Sequence, residues 1–409
     1  MHKYPLLLGL LNVANTSYLT QKIDINYDKR MSPYYISGKT VNVSISLPLM
    51  WLAEILEDAQ IASWLYSFTV TWQDDRLKYS PRQFGNETRI YVPSTEIWTP
   101  RLIVYNSIET KNLLQKGQED VAIYPDGSVV MQLVQFSRTL CDIWVQRMPF
   151  DTQHCALEVA SPLQPPKYVS LHGSLVKQPP LMRGNSEFIM RTLAVAELNY
   201  THNGEGMKEI SFVAELARCP IYFIVVIVAP SFLISALTVT GILMPKGESG
   251  GQDVISVGLS SMLALSITLS IVAENLPRSA SVPLIGIYIL ACLGVCTASV
   301  TLGIWLAHLK TRRRPLPSFL YIFAGRCPGS GRKKAEVKYR TPQNEGTTED
   351  SSKDAAKIDR IVLHRLYTLG FATLQLALLA ILILFFSFWW REPQKPPPAF
   401  QYSTSRIHF

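Results

Sequence analysis

Four long apolar stretches divide the chain into a polar N-terminal part and a membrane part. They are Ile221–Met244, Val254–Ala273, Val282–Leu309 and Tyr367–Trp390. Each is close to the length that an α-helix needs to cross the hydrocarbon core of a bilayer. The pattern therefore predicts four membrane-spanning helices. About 220 residues precede the first of them, which is the size of one folded domain.

The N-terminal part has the pattern of short strands. Val41–Leu47 alternates between apolar and polar residues, and Trp64–Trp72 and Val129–Phe136 are rich in aromatic and β-branched side chains. Turn sequences such as Pro125-Asp126-Gly127 separate these runs. Many short strands between regularly spaced turns predict a β-sandwich.

The second apolar stretch carries a stripe of polar and medium-sized apolar residues between two acids. The second-span stripe consists of Ser256, Ser260, Leu263, Ile267, Ser270 and Glu274, and Asp253 precedes it. Its spacing of three and four residues keeps the stripe on one face of a helix. Serines and carboxylates are costly against lipid, so the stripe favours a helix that lines an aqueous pore. The alternative is a helix that packs its serines against neighbouring helices.

Charge sets the orientation of the chain. The net charge is +8, and the segment from Lys310 to Ile361 holds 13 Lys/Arg against 6 Asp/Glu, a surplus of +7. Basic residues beside membrane spans mark the cytoplasmic side, so this segment is interpreted as a cytoplasmic loop and not as a nucleic-acid-binding surface. With four spans, the N-terminal part then lies outside the cell.

Two further signals agree with an extracellular N-terminal part. Four N-x-[ST] sequons precede the first span, at Asn15, Asn42, Asn86 and Asn199. Cys141 and Cys155 are the two cysteines in the first 218 residues, and an extracellular pair can be oxidised to a disulfide.

The segment between these cysteines identifies a family. Cys141 and Cys155 enclose thirteen residues that include Pro149-Phe150-Asp151. Together with four later spans and the second-span stripe, this closely resembles the Cys-loop receptors, the pentameric ligand-gated ion channels. Arg218-Cys219-Pro220 and Val282-Pro283-Leu284-Ile285-Gly286 are similar to the nicotinic, cation-selective branch.

The resemblance implies an assembly and a gate. Five subunits would surround a pore, each contributing its second span, and Leu263 and Ile267 would form a hydrophobic gate that excludes water when closed. Ser256 and Ser260 would line the inner half, and rings of Asp253 and Glu274 would attract cations at the two mouths. Val254 stands where the family usually has Lys or Arg, which should make the inner mouth more negative.

The resemblance also implies residues that couple agonist binding to the gate. Glu57 and Asp58 match acids of the β1–β2 loop, and Arg218 matches the arginine that pairs with them. Pro149 and Phe150 would press on the Arg278–Val282 linker. The alternative for Arg218 is a static structural ion pair, because a buried arginine needs a partner in any case.

The agonist site departs from the nicotinic pattern. Tyr105 matches the tyrosine of the first loop, but Arg101 stands where the family usually has Asp, and the tryptophan of the second loop falls on Pro162. The third loop has Tyr200 but no adjacent cysteine pair. A more polar pocket is predicted for an amine, an acid, a peptide, a proton or a metal, formed by Tyr105, Tyr200, Arg101, His202 and Glu205. His202 could titrate near physiological pH.

The fold prediction is an extracellular β-sandwich plus a four-helix transmembrane bundle, assembled as a pentameric ring. Its parts are the sandwich at 1–219, three helices within 220–309, a cytoplasmic loop at 310–361, the fourth helix at 362–390 and an extracellular tail at 391–409.

The functional prediction is a subunit of a cation-selective channel, opened by a small-molecule agonist bound between subunits. Its partners are four further subunits, the lipid bilayer and permeating monovalent cations. It would lie in the plasma membrane, and a postsynaptic site is consistent with the resemblance. The alternatives are an anion-selective relative and a regulatory subunit that needs partners. No cofactor and no metal site are predicted, and the chain shows no nucleophile or phosphate-loop motif of an enzyme.

Overall fold

The computed structural model describes residues 27–115, 118–161, 164–176, 181–202, 205–243, 251–274, 282–311, 348–389 and 405–408. These residues form two compact units. One unit consists of the strands. The other contains the long helices together with Val145–Phe150. The sequon Asn15, the linker residue Arg278 and Pro162 lie outside the described residues, as do the side chains of Asp253, Tyr200, His202 and Glu205.

The strands form two sheets. In chain order they are β1 Val41–Leu56, β2 Ile61–Gln73, β3 Ile90–Pro93, β4 Ile103–Val104, β5 Ser107–Asn112, β6 Asp120–Ile123, β7 Ser128–Leu140, β8 Thr152–Ala160, β9 Val169–Ser174, β10 Leu181–Arg183, β11 Phe188–His202, β12 Glu205–Arg218 and β13 Ser405–His408. The larger sheet has the order β10-β1-β2-β7-β6-β3, with β5 paired to β7 and β9 paired to β1. The smaller sheet has the order β13-β11-β12-β8-β4.

The two sheets enclose an aromatic core. Trp64, Tyr66 and Phe68 alternate along β2 and are almost completely buried. Phe68 meets Phe212 of the smaller sheet, with ring centroids 5.6 Å apart in a tilted arrangement. The Tyr66 hydroxyl lies 2.7 Å from the Ser137 hydroxyl, so this buried polar group is satisfied. The β-sandwich character predicted from the alternation is thus confirmed.

Four long helices form the second unit. They are α1 Ile221–Leu243, α2 Gly251–Glu274, α3 Leu284–Thr311 and α4 Thr348–Ser387. All four contain windows that are long and apolar enough to cross a bilayer, as predicted. The first three start and end within a few residues of the predicted bounds. α4 begins at Thr348, well before its apolar stretch, because polar residues continue the same helix on its N-terminal side.

Pro230 lies within the first helix, and the turn before it is irregular. Residues Ile224–Val228 form a single π turn between two α-helical segments. Proline lacks the N–H that an α-helix needs, and its ring crowds the carbonyl one turn earlier. A wider turn accommodates this without ending the helix.

Close packing of α2 on α3 depends on Gly258. A Cβ atom built on Gly258 would lie 2.3 Å from Cγ2 of Val300, well inside van der Waals contact. Ser261 and Leu265 lie on the same side of α2 and are buried. Small residues that let helices approach are a common feature of membrane packing. The glycine therefore determines which side of α2 faces its neighbours.

We expect Gly258→Ala to destabilise the helical unit by about 1–3 kcal/mol, because the added methyl group meets a stiff β-branched side chain. The measurement is the unfolding midpoint of the detergent-solubilised full chain. Gly294→Ala is the matched control, since Gly294 is exposed on α3 and has no atom within 4 Å of its added Cβ. Adding Val300→Ala should restore stability to Gly258→Ala. Equal midpoints for Gly258→Ala and Gly294→Ala would contradict the packing argument.

Candidate functional site

The second-span stripe lies on the side of α2 that does not pack within the chain. Ser256, Ser260, Leu263, Ile267, Ser270 and Glu274 are all exposed. Leu263 is 62% exposed and Ile267 is 54% exposed, although both are large apolar residues. The opposite side carries Gly258, Ser261, Leu265 and Val272, which are buried. Packing of the stripe against neighbouring helices of its own chain, the alternative raised by the sequence, is not seen in the described residues.

The serine at the middle of the stripe has its hydroxyl proton directed at the backbone. The Oγ of Ser260 donates to the carbonyls of Ser256 and Val257, each at 3.0 Å. This is the usual arrangement for serine inside a helix. The lone pairs of the hydroxyl oxygen then remain for a ligand on the exposed side. Such a surface suits a cation better than an anion.

The two acids of the predicted pore, Asp253 and Glu274, lie at opposite ends of α2. Glu274 is the last residue of the helix, and its side chain is exposed. Asp253 lies in the first turn of α2, and its side chain is outside the described residues. Both positions are on the helix, so they lie roughly 30 Å apart at 1.5 Å per residue.

A buried arginine gathers three acids at one end of the sandwich. We define the Arg218 cluster as Arg218, Glu57, Asp151 and Glu187. Asp151 accepts two hydrogen bonds from the guanidinium, at 2.8 and 3.1 Å. Glu57 lies 2.6 Å from Nη2, and Glu187 accepts from Nη1. The guanidinium also stacks 4.5 Å above the ring centroid of Phe188.

The electrostatics of this cluster follow from burial. Burial by itself would lower the pKa of Arg218, but the charges of Asp151 and Glu57 outweigh it and raise the pKa, so the guanidinium stays charged. Burial raises the pKa of Glu57 above its usual range, and attraction to Arg218 only partly opposes this. One carboxylate oxygen of Glu57, Oε2, is buried without a hydrogen-bond partner in the described structure. Three acids around one base therefore leave the cluster short of positive charge.

The predicted partners of Arg218 are only partly those observed. Glu57 lies where the resemblance places it. Asp58 is exposed and forms no ion pair with Arg218 among the described residues. Asp151 and Glu187 take its place, and neither was assigned this role from the sequence. Asp151 was visible as part of the Pro149-Phe150-Asp151 motif, whereas nothing near Glu187 marked it.

The disulfide and the loop that it closes are both present. Cys141 and Cys155 are bonded, with their Cα atoms 5.1 Å apart. The loop tip belongs to the helical unit. There the first amides of α3, those of Leu284 and Ile285, donate to the carbonyls of Gln146 and Met148 at 3.0 and 3.2 Å. The loop thus satisfies N–H groups that a helix N-terminus leaves without partners.

Phe150 makes its described contacts with the end of α4. Its ring centroid lies 5.3 Å from those of Phe385 and Trp389, and 6.4 Å from that of Phe386. Pro149 is buried next to it. The predicted contact of these two residues with the Arg278–Val282 linker falls on residues that are mostly outside the described structure.

The predicted agonist residues are distributed over the smaller sheet. Tyr105 directly follows β4 and is 61% exposed, and Arg101 is also exposed. Tyr200 and His202 lie at register positions opposite Met207 and Glu205 near the turn between β11 and β12. Strands β12 and β8 lie between this turn and β4 in the sheet.

Sequence reasoning missed two acids on β8 and β12. Glu158 lies in a strand whose other residues are mostly buried, and it is half-buried itself. Glu209 on β12 is 7% exposed. The backbone amide of Tyr105 donates to the Glu158 carbonyl at 2.6 Å, which places this acid next to a predicted agonist residue. An acid inside an apolar strand was the signal available in the sequence.

The three sequons within the described residues are accessible. Asn42, Asn86 and Asn199 are exposed.

Comparison with known proteins identifies two regions that together cover most of the chain. Residues 16–216 match the neurotransmitter-gated ion-channel ligand binding domain, and residues 227–318 match the neurotransmitter-gated ion-channel transmembrane region. Together these two matches cover well over half of the chain.

Individual relatives are distant. The chain is 26% identical over 280 residues to the proton-gated ion channel subunit pbo-6 of Caenorhabditis elegans, covering 67% of this chain and 65% of that protein. It is 26% identical over 326 residues to the acetylcholine receptor subunit beta of Xenopus laevis, covering 76% and 65%. It is also 26% identical over 308 residues to the neuronal acetylcholine receptor subunit alpha-10 of Homo sapiens, covering 72% and 66%. The matched region spans slightly less than two thirds of the length of each of these relatives.

We expect Asp151→Asn to lower the free energy of unfolding by about 3–5 kcal/mol, because it leaves a buried guanidinium without its bidentate partner. Glu187→Gln should cost less, since its side chain is 40% exposed. Asp58→Asn is the control and should stay within about 0.5 kcal/mol of the wild type. Chemical denaturation of the solubilised chain measures all three. An Asp151→Asn protein as stable as Asp58→Asn would contradict the central role given to this pair.

Proposed function

Because the chain belongs to the neurotransmitter-gated ion-channel family, we propose that it is a subunit of a pentameric, cation-selective channel that opens when an extracellular agonist binds between subunits. Residues 1–219 would form the extracellular domain, residues 310–361 the cytoplasmic loop and residues 391–409 an extracellular tail. The channel would lie in the plasma membrane, and a postsynaptic site is part of the proposal.

The exposure of the second-span stripe carries the proposal. One side of α2 packs on its neighbours through Gly258 and Leu265, and the opposite side holds the stripe. A stripe of serines that ends in Glu274 would be unfavourable against lipid acyl chains. A pore shared by five copies gives these side chains water and gives Leu263 and Ile267 a role as a dewetting gate.

Cation selectivity rests on the chemistry of this face. Asp253 and Glu274 would each form a ring of five carboxylates, which concentrates cations and repels anions. The hydroxyl of Ser260 offers lone pairs, since its proton is used by the backbone. Two of the relatives named above are acetylcholine receptor subunits, whose similarity supports this choice over an anion channel.

The proposed agonist site lies in the extracellular domain. We assign it to the end of the smaller sheet that contains Tyr105, Arg101, Tyr200, His202 and Glu205. The polar character of this set and the loss of the second-loop tryptophan separate it from the nicotinic aromatic box. The relatives include both a proton-gated subunit and acetylcholine receptor subunits, so this likeness alone does not choose between a proton and an organic cation.

Gating would pass from this end of the sheet to the pore through the residues expected to couple them. These are Glu57, Asp58, Pro149, Phe150, Arg218 and Arg278. The observed pair of Glu57 and Arg218 supports the first step. The observed partners of Phe150 on α4 suggest that the fourth helix takes part as well.

We expect Leu263→Thr to produce a leak current without agonist, because a hydroxyl in the gate favours water there. When external sodium is replaced by a bulky cation, the reversal potential should shift negative, by up to about 59 mV for each tenfold drop in permeant cation. Whole-cell recording from cells that express the variant measures this shift. A reversal potential that follows chloride would contradict cation selectivity.

Two controls sharpen the recording. Leu376→Thr makes the same change on α4, at a residue that is 65% exposed but lies outside the stripe, and it should produce no leak. Adding Asp253→Asn and Glu274→Gln to Leu263→Thr should reduce the preference for cations. Absence of current, with the protein shown to be at the cell surface, would favour a regulatory subunit that needs partner subunits.

A further inference from the structure

We propose that Glu158 and Glu209 form a proton-binding pair on the outer face of the smaller sheet, and that proton uptake there changes channel opening. The first half concerns the folded domain alone. The second half rests on the proposed channel function. We refer to these two residues as the carboxyl pair.

The register of the sheet brings the two acids together. β8 and β12 are antiparallel, with Glu158 opposite Ser211 and Ala160 opposite Glu209. Directly opposed residues share a face, so Glu209 is a diagonal neighbour of Glu158 on that face. Leu157 and Phe212 alternate with them, are fully buried and face the core of the sandwich. The carboxyl pair therefore lies on the outer face.

The described residues place no positive partner beside the carboxyl pair. No ion pair to Glu158 or Glu209 is present among the described residues. Lys208 is adjacent to Glu209 in the chain, but alternation places it on the opposite face. There it pairs with Glu197 at 2.9 Å. Buried carboxyl groups without a cation favour the protonated form.

Other ionisable groups surround the carboxyl pair in the described part of the chain. Those on the same face or on elements packed against it are Asp142, Tyr105, Arg101, His154 and Glu215, and those on the inner face are Lys208, His172 and Glu197. Asp142 adds a further negative charge that acts on Glu158. His154 lies opposite Glu215, four residues along β8 from Glu158. Arg101 is exposed, ahead of β4.

A buried hydroxyl provides a second, independent observation. Ser211 is directly opposite Glu158 and completely buried, and its hydroxyl is close enough to the Glu209 carboxyl to lower the pKa of that group, although its Oγ makes no hydrogen bond of ordinary geometry among the described residues. Leaving a buried hydroxyl without a partner is costly. A carboxylic acid beside it can both donate and accept, whereas a carboxylate can only accept. The site therefore suits a carboxyl group that gains and loses a proton.

The expected titration falls near neutral pH. Burial, followed by repulsion from Glu209 and Asp142, raises the pKa of Glu158 to about 7. Burial also raises the pKa of Glu209, and the nearby Ser211 hydroxyl partly opposes this. A single group with a pKa of about 7 is about 90% protonated at pH 6 and about 10% protonated at pH 8. The charge of the pair thus changes across the physiological range.

The two residues of the carboxyl pair lie on strands that connect to other parts of the domain. The backbone carbonyl of Glu158, not its carboxyl group, accepts a hydrogen bond from the backbone amide of Tyr105 on the predicted agonist side, so the carboxyl group lies on a residue that is held next to Tyr105. Glu209 belongs to β12, the strand that ends at Arg218. Repulsion between the two carboxylates strains the contact of β8 with β12, and one proton relieves it.

A bound metal ion is the competing explanation for two adjacent acids. Among the described residues, no group of three His, Cys, Asp or Glu side chains could hold one. Two carboxyl groups without a third ligand form a weak metal site but a sufficient proton site. Metal binding is therefore treated as an outcome of the experiment.

The proton-binding half is tested by the thermal unfolding of the solubilised full chain between pH 5 and pH 8.5. The pKa of Glu158 is raised in the folded state, so its contribution to stability is complete below its ordinary pKa and is lost as pH rises through about 7. The wild type should therefore lose stability relative to Glu158→Gln across this range. Glu209→Gln should move the midpoint of the loss to lower pH. Glu109→Gln, an exposed acid paired with Lys111, should follow the wild type.

Two results would overturn the proton pair. One is a constant difference between wild type and Glu158→Gln at every pH. The other is stabilisation of the wild type by calcium chloride at pH 8 that Glu158→Gln abolishes, since this would assign a metal site.

The gating half is tested with currents in the Leu263→Thr background, which needs no agonist. A step from pH 8 to pH 6 should change the current reversibly, and Glu158→Gln should abolish most of that change. An unchanged response in Glu158→Gln would overturn the link to gating, whatever the unfolding data show. Absence of current in Leu263→Thr itself would instead count against the proposed function, while the unfolding data would still decide the proton pair.

Discussion

A buried guanidinium is the interaction on which the end of the sandwich depends. Arg218 ends β12, and two residues separate it from Ile221, where α1 begins. Its guanidinium donates two hydrogen bonds to Asp151 and forms ion pairs with Glu57 and Glu187. Each partner comes from a different element, so one charge fixes the β1–β2 turn, the start of β8 and the approach to β11. Lysine could not replace this geometry, because it lacks a planar set of five donors.

The orientation of α2 depends on a different constraint, namely the close packing of its Gly258 side against α3. Gly258 allows α3 to approach so closely that no side chain larger than hydrogen fits without movement. Because that side of α2 packs against α3, the helical period places the second-span stripe on the opposite side. The exposed stripe is therefore a consequence of packing as much as of its own polar residues.

The sequence was sufficient where a feature repeats along one element. Alternation predicted the sandwich, apolar length predicted the four spans, and a spacing of three and four residues predicted the stripe. The Cys141–Cys155 bond and the Glu57–Arg218 pair came from the resemblance, and the described structure contains both. Here local pattern and family signature agree with the tertiary structure.

Features that depend on contacts between distant segments could not be predicted in this way. Asp58 stood beside Glu57 in the sequence and was chosen as a partner of Arg218, but the turn directs it to solvent, and Asp151 and Glu187 arrive from other strands instead. Glu158 and Glu209 are 51 positions apart in the chain, and only the register of β8 with β12 makes them neighbours.

The Arg218 cluster and the carboxyl pair show two consequences of burying acids in one domain. Asp151 is fully buried and accepts two hydrogen bonds from the permanently charged guanidinium of Arg218, so this contact is structural. Glu158 is half-buried and pairs with no cation among the described residues, and its pKa is raised to about 7, so its charge changes across the physiological range. β12 carries a member of each group, Glu209 near one end and Arg218 at the other. A change of charge at the carboxyl pair therefore acts on β12, and the opposite end of this strand is held in place by Arg218. This arrangement allows a local titration to act on a rigidly held strand.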